Sequence, residues 1–176
     1  MEVEVYSRYP SVRLYLNGKL EGEQPTTRET DFRAVFKLNY APGMVKAVGV
    51  QNGKEVEDFR LETAGESAAI RLTPDRGTIH ADGQDLSFIT VEVVDQRGRR
   101  QPNANEEIQF GLTGPGCIAG LGNADLKTEE TYQGTRFRVF HGRALIVLRS
   151  AKQQGTLVLR AQSPSLASAV SKVRTK

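Results

Sequence analysis

The stretch "HADGQDLSFITVEVVDQRGRR", residues 80–100, carries three aspartates, Asp82, Asp85 and Asp95, around an apolar run. Clustered carboxylates can hold a divalent cation or divide acid and base work between them, so this is the first place to look for chemistry. Spacing separates them. Asp85 and Asp95 flank nine residues, and nine residues of one strand span roughly 30 Å. Asp82 stands before Gly83, the pair that a tight turn requires. Asp82 and Asp85 alone have the oxygen chemistry for part of a calcium loop, but the dense alternating ligands of an EF-hand are missing. Structural corners are the stronger reading, and no metal ligand is assigned.

Other acidic doublets fare similarly. A glycosidase pair needs two carboxylates about 5 to 10 Å apart on one cleft. Glu106–Glu107 and Glu129–Glu130 are sequence neighbours, and neighbours on a strand face opposite ways. Cys117 lies in "GPGCIAG", read as a glycine-rich connection around a buried, inert thiol, with His141 distant along the chain. His80, His141 and Cys117 together are a poor supply of zinc ligands. "GLGNAD" echoes a phosphate loop without a helix to follow it. No catalytic, cofactor-binding or metal residue is therefore assigned, and no cofactor is expected. Sugar stacking is the remaining local chemistry. Tyr6, Tyr9, Tyr15 and Tyr40 all fall early in the chain, which has no tryptophan. Tyr15, pointing away from Leu14 and Leu16, is the candidate sugar contact, set against plain cross-strand pairing.

The elements that must position these residues read as strands throughout. "VRLYLNGK" puts Val12, Leu14 and Leu16 on one face and turns at Asn17-Gly18; "DFRAVFKLNY" offers Phe32, Ala34, Phe36 and Leu38 at period two. "MVKAVGV" turns at Asn52-Gly53 into "KEVEDFRLETA". Four or five strands fit in 64 residues. "ETAGESAAI" has no apolar period and marks a seam. Beyond it, "AIRLTPD", "LSFITVEVVD", "EEIQFGLTG", "TRFRVFHG", "ALIVLRS", "TLVLRAQS" and "LASAVSKVRT" give about seven strands. In "LSFITVEVVD", Phe88 and its alternating neighbours are expected to be buried. The fold class is all-β, two consecutive antiparallel β-sandwiches of immunoglobulin-like type, over 1–64 and 65–176. The chain has 176 residues and a net charge of +3. Residues 1–64 hold nine Lys/Arg against ten Asp/Glu and residues 65–176 hold fifteen against eleven, scattered singly rather than in a stripe, so nucleic acid is not an expected partner. No apolar run approaches the roughly 18 residues of a membrane span, and no signal-peptide order opens the chain.

Two long segments carry a family resemblance. "VEVYSRYPSVRLYLNGKLEGE" with "FRAVFKLNYAPGMVKAVGVQNGKEVEDFRLETAG" resembles the small β-domain that follows the catalytic barrel in bacterial family 2 glycoside hydrolases. "IRLTPDRGTIHADGQDLSFITVEVVDQRGRRQPNANEEIQFGLTGPGCIAGLGN" with "FHGRALIVLRS" resembles their immunoglobulin-like C-terminal domain. "GNAD" departs from relatives that carry a second glycine there, and the opening lacks their lead-in, so the small domain is read as truncated at its start. The resemblance implies a parent enzyme of β-galactosidase type that retains anomeric configuration, acting in carbohydrate degradation. Its catalytic glutamates lie in a (β/α)₈ barrel, which needs about 250 residues of its own. Neither glutamate motif has a match here. What is implied is a non-catalytic C-terminal accessory region, inactive alone, whose partner is the barrel of the same polypeptide, in a periplasmic or secreted protein. A carbohydrate-binding module and an immunoglobulin-like spacer or adhesion module are the alternatives.

Overall fold

The computed structural model describes residues 1–176 as fifteen strands and one 3₁₀ turn, in two units, Met1–Thr63 and Ala64–Lys176. In the first unit the strands are β1 (Glu2–Tyr6), β2 (Ser11–Leu16), β3 (Lys19–Pro25), β4 (Arg33–Lys37), β5 (Met44–Gln51) and β6 (Lys54–Glu62). There are six, more than the alternating runs suggested. β1 pairs antiparallel with β4, and the other four form a sheet in the order β3-β2-β5-β6. Val12, Leu14, Ala34 and Phe36 are the buried core between the two sheets, with Val3, Val5, Val45 and Ala47 against it. Burying such alternating faces stabilises by about 25 cal/mol per Å² before conformational entropy is charged.

Both predicted hairpins form. Asn17-Gly18 has φ of 52° and 85°, and Asn52-Gly53 has 52° and 76°, the left-handed pairs that match strand twist. Phe32 departs from expectation. It adopts φ 56° after the turn at Arg28–Thr30 and is exposed, so it falls outside the β4 alternation that buries Ala34 and Phe36.

The second unit holds β7 (Ala69–Pro74), β8 (Thr78–Ile79), β9 (Leu86–Val94), β10 (Glu107–Thr113), β11 (Gly116–Gly122), β12 (Arg136–Arg138), β13 (Arg143–Ser150), β14 (Gly155–Ser163) and β15 (Leu166–Thr175). Hydrogen bonding runs β11-β13-β9-β7-β15-β14-β10-β12, with β8 beside β15. The path folds over at β7, which pairs antiparallel with β9 and parallel with β15 through the single pair Ala69 and Ala167. Ile89, Val91, Ile146 and Leu148 from one half meet Ile108, Phe110, Leu157 and Leu159 from the other in one core. This is a sandwich, two layers each hydrophobic on one face.

All seven segments read from sequence are strands, and two more appear. β8 is two residues long, and β11 is the glycine-rich "GCIAGLG", paired along β13 with a bulge between Ile118 and Gly120. Cys117 is therefore an exposed strand residue, not a buried one in a connection. The expected facing of β9 is also reversed. Ser87, Ile89, Val91 and Val93 are the fully buried set, and Phe88 is exposed. The β-branched alternation at 89, 91 and 93 outweighs the single aromatic, because the Phe88 face continues with Thr90 and the charged Glu92.

Candidate functional site

Asp82, Asp85 and Asp95 are all corners, and each spends its carboxylate on backbone. Asp82 Oδ1 accepts the amides of Gln84 and Asp85, both at 2.8 Å, around Gly83 at φ 82°. Asp85 Oδ2 accepts the His80 amide at 2.8 Å, while Oδ1 accepts the Leu86 amide and an Arg76 guanidinium N–H at 3.0 Å. These donors hold both carboxyls below their ordinary pKa: Gln84 and Asp85 amides for Asp82, the His80 amide for Asp85. A cation at this corner would compete with N–H groups already seated on those oxygens. Asp95 stands at the far end of β9.

Asp95 is the most heavily used carboxylate in the second unit. Its side chain is buried, and Oδ1 accepts the amides of Arg97 and Arg99, each at 2.9 Å. Oδ2 accepts the Gly65 amide at 2.8 Å and the Arg99 guanidinium, Nε at 2.8 Å. The Gly65 amide, followed by the Arg99 and Arg97 donors, holds its pKa far below the usual carboxylate range. One residue thus closes the "DQRGR" turn and pins the entry of the unit to the end of β9.

Glu92 is a second carboxylate that spacing did not single out. It is buried on β9, where Arg71 of β7 and Arg143 of β13 are both its register partners. Arg71 reaches Oε2 at 2.6 Å and Arg143 reaches Oε1 at 2.9 Å. Burial pushes the Glu92 pKa up, but the two arginines outweigh it and the net shift is downward. In the acidic doublets, Glu107 faces Arg136 at 4.0 Å, and Glu130 accepts the Arg138 amide at 3.3 Å. His141 takes φ 50° in a turn and its Nδ1 lies 3.0 Å from the Pro102 carbonyl oxygen.

The first unit has a groove of about 400 Å³ along Val5, Tyr6, Tyr9, Val12, Ala47 and Phe59, with Glu57 at its edge. Tyr9 packs on Gly49 so closely that a Cβ there would lie 2.2 Å from its ring. Its hydroxyl donates to Glu57 at 2.7 Å, and Arg8 donates to the same oxygen at 3.1 Å. Tyr9 and then Arg8 hold Glu57 below its ordinary pKa, and Arg60 does the same for Asp58. Neither is poised to donate a proton near neutral pH. Tyr15 is half-buried; its hydroxyl donates to Glu55, and the Lys46 ammonium sits 4.6 Å from its ring centroid. The bond to Glu55 raises the Tyr15 pKa. A sugar stacking on Tyr15 must therefore displace Lys46 or use the other ring face. The groove itself, built by Gly49 and the end of β1, had no signal in spacing.

Residues 70–172 match the family described as "Glycoside hydrolase family 2 C-terminal domain 5", and residues 1–57 match one described as "Domain of unknown function (DUF4982)". The β-galactosidase BoGH2A of Bacteroides ovatus is 35% identical over 168 residues, 96% of this chain and 20% of its own length. A β-glucuronidase of Formosa agariphila is 34% identical over 165 residues, 91% of this chain and 16% of its own. Among solved structures, a glycosyl hydrolase family 2 member from Bacteroides cellulosilyticus superposes with a TM-score of 0.95 at 38% identity, covering 99% of this chain and 23% of that one. The chain spans about a fifth of the length of the relatives it matches.

Proposed function

We propose, for a chain that belongs to glycoside hydrolase family 2 through its C-terminal domain, that it is the non-catalytic accessory region of a β-glycosidase. One observation carries this reading: the chain is matched almost end to end, yet it corresponds to only a fifth of the β-galactosidase it resembles. The geometry agrees, because Asp95, Glu92 and the groove-lining Glu57 are committed to structural donors. The parent activity in this reading is hydrolysis of terminal β-galactosides with retention, by a catalytic barrel elsewhere in the same polypeptide, in the periplasm or outside the cell. The second unit plays its part as an immunoglobulin-like sandwich.

The test is enzymatic. Purified residues 1–176 are expected to leave nitrophenyl β-galactoside and β-glucuronide unchanged. The whole polypeptide is expected to hydrolyse one of them and to release the β-anomer first by NMR. Turnover by the isolated chain overturns the proposal. A sugar contact at Tyr15 is the alternative role for the first unit; retardation in a galactan gel that Tyr15→Ala abolishes would favour it.

A further inference from the structure

We infer that Asn52 is a site of spontaneous covalent modification, converting to aspartate and isoaspartate, while Asn17 in the same tripeptide is protected by the fold. The chain carries Asn-Gly-Lys twice, at 17–19 and 52–54, and has no other Asn-Gly pair. Asparagine is a thermolabile side chain, and a following glycine leaves the backbone nitrogen that attacks it unshielded. Both pairs form exposed two-residue turns with nearly the same backbone: φ is 52° at each asparagine, and 85° and 76° at the glycines. Nothing lies within 4 Å of the Cβ position of either glycine. Sequence and backbone therefore treat the two asparagines alike.

Their side chains differ. Asn17 Nδ2 donates to the Pro42 carbonyl at 3.0 Å, and its Oδ1 accepts the Met44 amide at 2.8 Å. Gly43, between those partners, presses so close that a Cβ on it would lie 1.8 Å from Oδ1. Asn17 thus latches the β2–β3 turn to the start of β5, with both ends of its amide in use. Asn52 has no hydrogen-bond partner and is free to turn. The reaction needs that freedom. The Gly53 amide gives its proton to hydroxide, its nitrogen bonds to Asn52 Cγ, and Nδ2 takes a proton from water and leaves as ammonia. The product is a five-membered imide. Water opens it at Cγ to give aspartate, or at the main-chain carbonyl to give isoaspartate, whose backbone runs through Cβ and Cγ. Attack requires the reacting atoms aligned within about 3.5 Å. At Asn17 two hydrogen bonds must break first, which slows the reaction about tenfold or more. Isoaspartate adds a backbone atom to a turn whose left-handed pair matches the twist of the strands joined at Gln51 and Lys54. The strand that yields is β6, an edge strand bonded to β5 alone and exposed at all nine residues.

Peptide mapping of residues 1–176 after incubation at mildly alkaline pH tests this. A protein-isoaspartate methyltransferase with labelled S-adenosylmethionine is the probe for isoaspartate. Each unit has its own buried core, so the chain folds for the measurement. In the folded chain the Asn52 peptide is expected to convert about tenfold or more faster than the Asn17 peptide. In concentrated urea the two rates are expected to converge, because only side-chain contacts separate them. Equal rates in the folded chain overturn the inference. So does a preference that survives urea, since the sequence would then be its cause. Gly43→Ala is expected to evict Asn17 and bring its rate toward that of Asn52, and an unchanged Asn17 rate in the folded variant removes the latch. The wild-type comparison decides by itself if that variant does not fold. Asn52→Gln is expected to abolish methyl transfer to the β5–β6 hairpin; methylation there at the wild-type level overturns Asn52 as the site.

Discussion

Asp95→Asn is expected to lower the melting temperature of the Ala64–Lys176 unit by about 10 °C, the size of effect that follows from breaking a buried, multiply bonded charge in a domain of this length. The carboxylate receives only donors: the amides of Gly65, Arg97 and Arg99 and the Arg99 guanidinium. Asparagine replaces one acceptor oxygen by a donor NH₂. Whichever way the amide is turned, N–H then faces N–H in a buried site, and the displaced donors lose their partner. Acid dependence gives a separate readout. The folded pKa of Asp95 lies below its unfolded value, so the unfolded chain binds the extra proton and stability rises with pH through this window. The contribution is complete above the unfolded value near pH 4 and is lost as pH falls toward the folded one. Calorimetry from pH 2.5 to 7 should show the wild-type unit losing stability more steeply below about pH 4 than Asp95→Asn. Parallel curves would remove Asp95 from this role. Asp82, Asp85 and Glu92 shift in the same direction, so the variant retains a reduced slope rather than none.

Gly114→Ala is expected to cost about 3 kcal/mol or more, the sum of two independent penalties. Gly114 has φ +103°, and a Cβ built on it meets the Thr156 carbonyl oxygen at 2.1 Å. The obstruction is backbone of the adjacent β14, so no rotamer change relieves it. Gly18 isolates the first penalty, because it has φ +85° with nothing near its Cβ position. Gly18→Ala should therefore cost only about 1 kcal/mol. Urea melts that follow each unit's own transition check the contrast, with equal shifts from wild type in the two units excluding a steric role for Gly114.

What could be read from the residues alone was local. Asn17-Gly18 and Asn52-Gly53 specify left-handed turns in two positions, and Val12, Leu14, Ala34 and Phe36 alternate within single runs. The misreadings share a physical origin. Phe88 is the one aromatic of its run, yet facing is decided by the whole alternating set, and Ile89, Val91 and Val93 form the stronger one. β11 lacks the bulky residues that mark a strand and exists because β13 pairs with it. Asp95 reads as a turn residue until Gly65, thirty positions away, arrives at its oxygen. Glu92 gains its arginines through strand register, which no window around residue 92 contains.

The crossing from β7 to β15 has a mechanical meaning. These strands run parallel, and β8 continues the alignment: Ala167 donates to the Ala68 carbonyl, Arg174 to Gly77 and Lys176 to Ile79. They are also the first and last strands of the unit. Tension applied between Ala64 and Lys176 pulls the two edges past one another, along the strands rather than away from them. These bonds, with the Ala81 amide donating to the Lys176 carbonyl, then bear the load together in shear. A pull on the polypeptide meets a clamp here, where a hairpin at the same place would open like a zip, one bond after another.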